Sequence, residues 1–177
     1  MKTAVITGGA GGLGRAITAQ LVARNWSVAV IDLPGAELEA VGRANVRTYP
    51  CDLTDHDAVD ALCKQVVADH PSIDMVIYNA GITQIGLFAE TPLRAHRRVF
   101  DINYFGAVNI AAGLLGAVRR AKGCHVAISS VAGFAPLHRR TAYSASKHAL
   151  EGLFRTLREE EREFGVSVSI AMPSFVA

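Results

Sequence analysis

The sequence has few cysteines, and their spacing argues against two kinds of cysteine-dependent structure. Three cysteines occur among 177 residues. Cys51, Cys63 and Cys124 form no CxxC pair and lie far apart, which argues against a zinc site and against a disulfide framework. We therefore expect no bound metal, and we expect the three side chains to pack as small apolar groups in a reducing compartment.

The sequence also lacks an excess of charge and a long apolar run. Its 18 Lys and Arg residues stand against 16 Asp and Glu residues, a net charge of +2. Such a balance gives no field that would attract nucleic acid or an anionic membrane. No apolar run long enough to span a bilayer is visible, and residues 1–7 lack the apolar segment of a secretory signal. We expect a cytoplasmic protein with no nucleic-acid or membrane partner.

Short apolar runs and amphipathic segments alternate along the whole chain. The strand-like runs are continuously apolar, as is typical of parallel strands buried on both faces. Strands are predicted at residues 4–7, 27–32, 46–49, 73–78, 124–129 and 166–171, with helices at 14–24, 37–43, 55–69, 93–118 and 143–164. This order predicts one α/β domain over residues 1–177: a doubly wound parallel sheet of six strands with helices on both faces.

A glycine-rich loop joins the first predicted strand to the first helix. Residues 7–14 read Thr-Gly-Gly-Ala-Gly-Gly-Leu-Gly. Glycines at such a position allow a tight turn and let the backbone approach a pyrophosphate at the helix N-terminus. The loop fits three glycine registers, at 9-11-14, 8-11-14 and 8-12-14, so it predicts a Rossmann-type dinucleotide site without choosing among its kinds. Asp32 ends the second strand, where a carboxylate binds the adenosine ribose and repels a 2′-phosphate, so we expect NAD(H) rather than NADP(H).

Tyr143 and Lys147 are four residues apart on one predicted helix and therefore share a face. A free tyrosine titrates at about 10, too high for acid–base work at neutral pH, whereas a neighbouring cation favours the phenolate. Ser130 ends the fifth strand, at the carboxyl edge where open α/β sheets bind ligands, and its hydroxyl could donate to a substrate carbonyl. The Tyr-xxx-Lys pair is weak evidence by itself, and Ser130 strengthens it.

Several motifs together resemble the classical short-chain dehydrogenases/reductases along the whole sequence. They are the glycine loop, Cys51-Asp52-Leu53, Asn79-Ala80-Gly81, Asn103, Ile128-Ser129-Ser130, Tyr143–Lys147 and Pro173. The resemblance implies that Tyr143 is the general acid/base, that Ser130 orients the substrate oxygen and that Lys147 lowers the tyrosine pKa. It also implies that Asn103 holds a water in a proton relay. The residues implied to contact the cofactor are Gly8, Gly12, Leu13, Gly14, Asp32, Asp52, Leu53, Asn79, Ala80, Gly81, Tyr143, Lys147 and Pro173.

The sequence departs from the family pattern in two residues and in length. Tyr78 stands where an Asn is usual, and Ser174 stands where a Gly is typical. The sequence ends at Ala177, whereas members of the family usually continue with a substrate-covering segment, another helix and a seventh strand. We therefore expect the edge of the last strand to be covered by a partner, a second fragment or further residues.

These observations predict an NAD(H)-dependent oxidoreductase that transfers a hydride between nicotinamide and a secondary alcohol or ketone. Two alternatives stay open. The short length favours a non-catalytic dinucleotide-binding or assembly module. An extended-type sugar-nucleotide epimerase shares the Tyr-xxx-Lys pair and one glycine register, but Asn79-Ala80-Gly81 argues against it.

The substrate itself is predicted only in outline. Position after the strands suggests a mostly apolar cleft lined by Ile82, Thr83, Gln84, Ala132, Gly133, Phe134, Leu137 and Phe175. His138, Arg139 and Arg140 could meet an anionic group, but a solvated loop is the favoured interpretation. Apolar residues such as Phe105 and Leu153 on the two longest helices lead us to expect a homodimer or homotetramer.

Overall fold

The computed structural model describes residues 1–174 and contains one parallel sheet of six strands within them. The strands are β1 Thr3–Thr7, β2 Ser27–Asp32, β3 Val46–Pro50, β4 Met75–Tyr78, β5 Cys124–Ile128 and β6 Ser167–Ala171. Their order across the sheet is β3-β2-β1-β4-β5-β6. This is the doubly wound order of the Rossmann fold. From β1 the successive strands β2 and β3 are added on one side, and β4, β5 and β6 are then added on the other side. The predicted fold class is confirmed.

Helices cover both faces of the sheet. They are α1 Gly12–Ala23, α2 Ala36–Glu39, α3 His56–Asp69, α4 Leu93–Phe100, α5 Gly106–Ala121 and α6 Thr141–Glu161. One buried cluster contains Leu21 of α1 and Leu38 of α2 against the first sheet face. A larger cluster packs α3, α5 and α6 against the other face, with Ile110, Leu114 and Phe154 completely buried. Alternate residues of the central strands serve both clusters, which explains their continuous apolar sequence.

The long helix predicted over residues 93–118 is interrupted. A π-helical turn, Asp101–Phe105, separates α4 from α5 and contains the buried Asn103. Periodicity cannot reveal such a turn because one inserted residue leaves apolar positions on both sides in helical spacing. Taken together, α4, the π-helical turn and α5 form a helical segment, Leu93–Ala121, that is long and apolar enough to cross a membrane by length and composition alone. Core helices of soluble proteins share this property, and the polar residues Asp101, Asn103 and Asn109 interrupt the apolar sequence of this one.

Tyr78, one of the departures from the family pattern, belongs to the core. Its side chain is 2% exposed, and its hydroxyl forms a 2.6 Å hydrogen bond with Nδ1 of His125. Both rings pack around Phe154 of α6. The residue therefore joins β4, β5 and α6 through its packing.

Cys51 and Cys63 are buried, Cys124 is half-buried, and all three are free thiols. Phe105 is 50% exposed, whereas Leu153 packs against the core. A homo-oligomer stays a prediction.

Candidate active site

The glycine loop lies between β1 and α1, at the carboxyl edge of the sheet. Its turn is fixed by a hydrogen bond of 2.8 Å from the Gly8 backbone N–H to the carbonyl of Ile31 on β2. Gly8 has a φ of +66°, which a residue with a side chain adopts only at a cost. No side chain caps α1 at Gly11, and no acidic residue lies in its first turn. The N–H groups at this helix end are therefore available to bind an anion.

The glycines of the loop have different reasons for lacking a side chain. A Cβ on Gly9 would lie 2.6 Å from Cγ1 of Val30, and one on Gly14 would lie 2.7 Å from Cα of Gly9. These two glycines allow the loop and α1 to pack closely. A Cβ on Gly12 would meet nothing within 4 Å, although Gly12 lines the cleft above the loop. The space at Gly12 is thus open for a ligand, and the predicted pyrophosphate site fits the structure.

A cleft of about 390 Å³ opens above the glycine loop, and we name it the glycine-loop cleft. Its lining brings together most of the predicted cofactor residues: Gly8, Gly12, Leu13, Gly14, Asp32, Asp52, Leu53, Asn79, Ala80 and Gly81. Gly11, which belongs to two of the three possible glycine registers, also lines it. Glu37 and Ile102 line it as well, and sequence reasoning did not select them. Among the lining residues two carboxylates, Asp32 and Glu37, lie at the β2 end, and no Lys or Arg is present.

The Asp32 carboxylate is held by the backbone. One oxygen accepts a hydrogen bond of 2.8 Å from the N–H of Ala10, and the other accepts one of 2.8 Å from the N–H of Leu33. The side chain therefore ties the glycine loop to the end of β2 while it faces the cleft. Each oxygen keeps a second lone pair that a ribose hydroxyl could use.

Asp52 and Leu53 follow β3 and line the same cleft. The Asp52 carboxylate accepts hydrogen bonds of 2.9 and 2.8 Å from the N–H and hydroxyl of Thr54. These bonds hold the pKa of Asp52 below its ordinary value. Leu53 is buried, and its side chain limits the space available at Gly106 of α5.

The segment Asn79-Ala80-Gly81 is fastened to the end of β1 by Thr7. The Thr7 hydroxyl oxygen accepts hydrogen bonds from the N–H groups of Asn79 and Ala80, at 3.2 and 3.1 Å. In return, the Asn79 amide donates to the carbonyls of Thr7 and Gly8, at 3.2 and 2.8 Å. Thr7 is therefore a structural member of the site. A hydroxyl residue that directly precedes the glycines was the available signal.

Ser130, Tyr143 and Lys147 line a second cleft, which we name the tyrosine cleft. It shares Leu13, Asn79, Gly81 and Ile82 with the glycine-loop cleft, so the two are continuous. Tyr143 and Lys147 lie on one face of α6, with Nζ of Lys147 at 5.7 Å from the centre of the tyrosine ring. Ser130 lies two residues beyond β5, and its hydroxyl oxygen accepts a 3.2 Å hydrogen bond from the N–H of Ala132, so its own proton is free to donate. Pro173 lines the same cleft.

The Lys147 ammonium is 4% exposed and donates a 2.7 Å hydrogen bond to the carbonyl of Ile128. Burial lowers the pKa of Lys147 to about 8, because the charged form is the more strongly desolvated one. The lysine consequently changes charge close to neutral pH. A buried lysine with such a pKa next to a tyrosine is typical of a catalytic site.

Asn103 is buried in the π-helical turn Asp101–Phe105. Its amide oxygen accepts from the N–H of Ile82 at 2.8 Å, and its amide nitrogen donates to the carbonyl of Ile82 and to the hydroxyl of Ser146, both at 3.0 Å. Both amide protons are used within the protein. The side chain thus links the turn, the loop after β4 and α6, and its implied water-holding role is not visible in these contacts.

The predicted substrate-facing residues separate into distinct groups. Ile82, Thr83 and Leu137 line the tyrosine cleft, whereas Ala132 and Gly133 are buried and do not belong to its lining. Gln84 donates to the hydroxyl of Thr91, Phe134 is 61% exposed, and Phe175 lies outside the described residues. Of the three basic residues before Tyr143, Arg140 lines the cleft and donates a 2.6 Å hydrogen bond to Thr83. His138 and Arg139 are exposed.

Comparison with known proteins decides the family. A family model described as short chain dehydrogenase matches residues 2–177. The chain belongs to the short-chain dehydrogenase family. Members of this family bind nicotinamide dinucleotides, and the glycine-loop cleft of this short-chain dehydrogenase has the open loop that such a ligand needs.

Two relatives and two solved structures illustrate the similarity. The chain is 35% identical to the Bos taurus dehydrogenase/reductase SDR family member 7B, over 97% of this chain and 57% of the relative. It is also 35% identical to the fatty acyl-CoA reductase of Acinetobacter baylyi, over 97% of this chain and 62% of the relative. A short-chain dehydrogenase from Streptomyces avermitilis has a TM-score of 0.95 at 33% identity, over 99% of this chain and 66% of that one. The Thermoplasma acidophilum aldohexose dehydrogenase has a TM-score of 0.89 at 26% identity, over 98% and 66%.

This short-chain dehydrogenase chain therefore spans only 57% and 62% of the lengths of the two relatives. Within residues 1–174 there is no group of three or more His, Cys, Asp or Glu side chains that could hold a metal ion.

Proposed function

We propose that this short-chain dehydrogenase is an NAD(H)-dependent oxidoreductase that interconverts a secondary alcohol and a ketone. The observation that carries the proposal is the tyrosine cleft: a phenol, a buried ammonium and a serine hydroxyl line one cavity that continues into the glycine-loop cleft. A bound nicotinamide would supply or accept the hydride. The residues of the chain handle the proton and the charge on the substrate oxygen.

In the direction of carbonyl reduction, Ser130 and Tyr143 act on the same oxygen. The Ser130 hydroxyl donates a hydrogen bond to the carbonyl oxygen and stabilises the negative charge that develops there. Tyr143 gives its phenolic proton to this oxygen as hydride reaches carbon, which leaves a phenolate. The Lys147 ammonium stabilises the phenolate electrostatically, since a cation in a poorly solvated site interacts strongly with a nearby anion. The reverse sequence oxidises an alcohol.

NAD(H) is proposed over NADP(H) because of the charge at the β2 end of the glycine-loop cleft. Asp32 and Glu37 both line that end, and no basic residue accompanies them in the lining. A 2′-phosphate would meet two carboxylates there, whereas ribose hydroxyls can donate to Asp32. The substrate is proposed to be a small molecule that is largely apolar near its carbonyl, since Ile82, Val131 and Leu137 line the tyrosine cleft.

The test is the replacement Tyr143→Phe. We expect turnover to fall by about 100- to 10,000-fold because the proton donor is lost. NADH binding, measured by quenching of protein fluorescence, should persist, since the ring and its packing are retained. Assays would use NADH with aliphatic and aromatic ketones, and NAD⁺ with the matching alcohols. Unimpaired turnover by the variant would contradict the assignment of Tyr143, and NADH binding with no wild-type turnover on any pair would favour a non-catalytic module.

A further inference from the structure

Glu151 is a buried carboxylate that the chemistry proposed above does not use. It lies on α6 one turn beyond Lys147 and is 4% exposed. One carboxylate oxygen accepts a 2.8 Å hydrogen bond from the hydroxyl of Ser129. The other forms a 3.0 Å ion pair with the largely exposed Arg155. Burying a carboxylate costs free energy unless it is well paired, so its presence at a position that an apolar residue could fill calls for a reason.

The carboxylate lies directly against the segment that carries Ser130. A Cβ on Gly133 would lie 2.6 Å from Oγ of Ser129 and 3.0 Å from Cδ of Glu151, and it would overlap Oε1 of Glu151. Only a glycine therefore lets the turn Val131–Gly133 approach α6 this closely. Ser129 precedes Ser130 and Gly133 follows it, so Glu151 contacts the chain on both sides of the serine.

The turn itself determines where the Ser130 hydroxyl lies. The N–H of Gly133 donates to the Ser130 carbonyl at 2.9 Å, and the N–H of Ala132 donates to the Ser130 hydroxyl oxygen at 3.2 Å. A shift of the turn towards or away from α6 would consequently move this hydroxyl relative to Tyr143, which is fixed on α6. The distance between the two groups is the quantity that matters if both act on one substrate oxygen.

We propose that Glu151 is a positioning residue for Ser130: through Ser129 and Gly133 it sets the height of the Val131–Gly133 turn above α6. This inference rests on the proposed oxidoreductase function. Glu151 also makes α6 the common support of all three groups, since Tyr143 and Lys147 project from this helix and Ser130 is held to it. Only Oε1 of Glu151, which accepts the hydrogen bond from Ser129, has this positioning role. Oε2 is paired with Arg155 and does not contribute to it.

The first experiment separates the two oxygens of Glu151. Glu151→Ala removes both contacts and leaves a hole beneath the turn, and we expect kcat for ketone reduction to fall by roughly 10- to 100-fold. Glu151→Gln keeps an acceptor for Ser129, and kcat should stay within about threefold of wild type, a rescue by the conservative variant. Arg155→Gln is the matched control, since it removes the ion pair and leaves the Ser129 contact. It should lower the melting temperature slightly without changing kcat.

The second experiment asks whether Glu151 acts through Ser130. In Ser130→Ala the hydroxyl is absent, so adding Glu151→Ala should lower kcat no further. If Glu151→Ala instead acted by a general loss of structure, the kcat of the double variant would be lower than that of Ser130→Ala. The Kd for NADH, measured by fluorescence, should be the same in all variants. Ser129→Ala removes the same hydrogen bond without altering α6 and keeps the test available if Glu151→Ala does not fold.

The outcomes are distinct. An active wild type with Glu151→Ala or Ser129→Ala within twofold of its kcat would overturn the positioning role. So would additive losses in the Ser130→Ala background. A wild type that binds NADH and reduces no ketone would instead overturn the proposed function, whatever the variants do.

Discussion

The carbonyl oxygen of Gly8 occupies the space into which a side chain on Gly14 would extend. The two residues lie at the start of the glycine loop and in the first turn of α1, so their contact sets how closely the helix approaches β1. Gly12 lies between them in sequence and has no such neighbour. Glycines in one loop can therefore be assigned separately to packing and to ligand space.

Alanine replacements should separate these two roles. Gly14→Ala forces α1 away from the loop, and we expect the free energy of unfolding to fall by about 1–3 kcal/mol, as for an overpacked core position. Gly12→Ala places a methyl group in open space at the first turn of a helix and should leave stability equal or slightly higher. The same methyl group should weaken NADH binding. Urea denaturation and NADH fluorescence titration test both effects, and a stable Gly12→Ala protein with wild-type affinity would show that the cofactor does not approach this residue.

Asp32 should determine the preference between the two nicotinamide dinucleotides. Asp32→Asn removes the charge and keeps an acceptor, so we expect weaker NADH binding and stronger NADPH binding, with the ratio of the two Kd values changing by at least about tenfold. Glu37→Gln is the matched control for general charge in the glycine-loop cleft and should shift the ratio less. If wild type already binds NADPH more tightly than NADH, the assignment of Asp32 is wrong.

The sequence could predict the fold because its signals are local and repeated. Six apolar runs, a glycine loop after the first, and Asp32 at the end of the second specify a doubly wound sheet before any contact is known. Spacing also placed Tyr143 and Lys147 on one helical face. These predictions depend on periodicity, which a single sequence contains in full.

Contacts between distant segments could not be predicted in the same way. Thr7 starts the glycine loop, but its hydrogen bonds to a segment 72 residues away do not follow from that motif. Glu151 belongs to none of the motifs, and its partner Ser129 is 22 residues away. The π-helical turn changes the position of Asn103 without changing the apolar pattern. The low pKa of Lys147 follows from its burial, which depends on how α6 packs against β5. Each of these features belongs to tertiary packing.

Cofactor affinity should depend on pH through Lys147. Its pKa of about 8 in the free protein means that the ammonium is present below this pH and is lost as pH rises through it. Because NADH is anionic, we expect its Kd to increase above pH 8, by no more than about tenfold per pH unit for a single proton. Lys147→Met should bind NADH more weakly and without this dependence. The exposed Lys122 supplies a control, since Lys122→Met should retain the wild-type profile, and an affinity for NADH that is constant from pH 7 to 10 would contradict the prediction.

Stability at acidic pH should depend on His125. The ring is completely buried, its Nδ1 bonds to the Tyr78 hydroxyl, and its Nε2 has no partner within the described residues. Burial lowers the pKa of His125 to about 4, and the nearby Glu161 opposes this only partly. The unfolded chain takes up a proton at a pKa of about 6.5, whereas the folded protein resists it until about pH 4, so stability falls between these values as pH decreases. The loss of folding free energy attributable to this residue should approach about 3 kcal/mol at the acidic end.

Carboxylates also titrate in this pH range, so wild type has to be compared with His125→Gln. In this variant the free energy of unfolding should depend less steeply on pH. His138→Gln, at an exposed position before α6, should keep the wild-type slope, and equal slopes for wild type and His125→Gln would mean that the buried imidazole accepts a proton without cost.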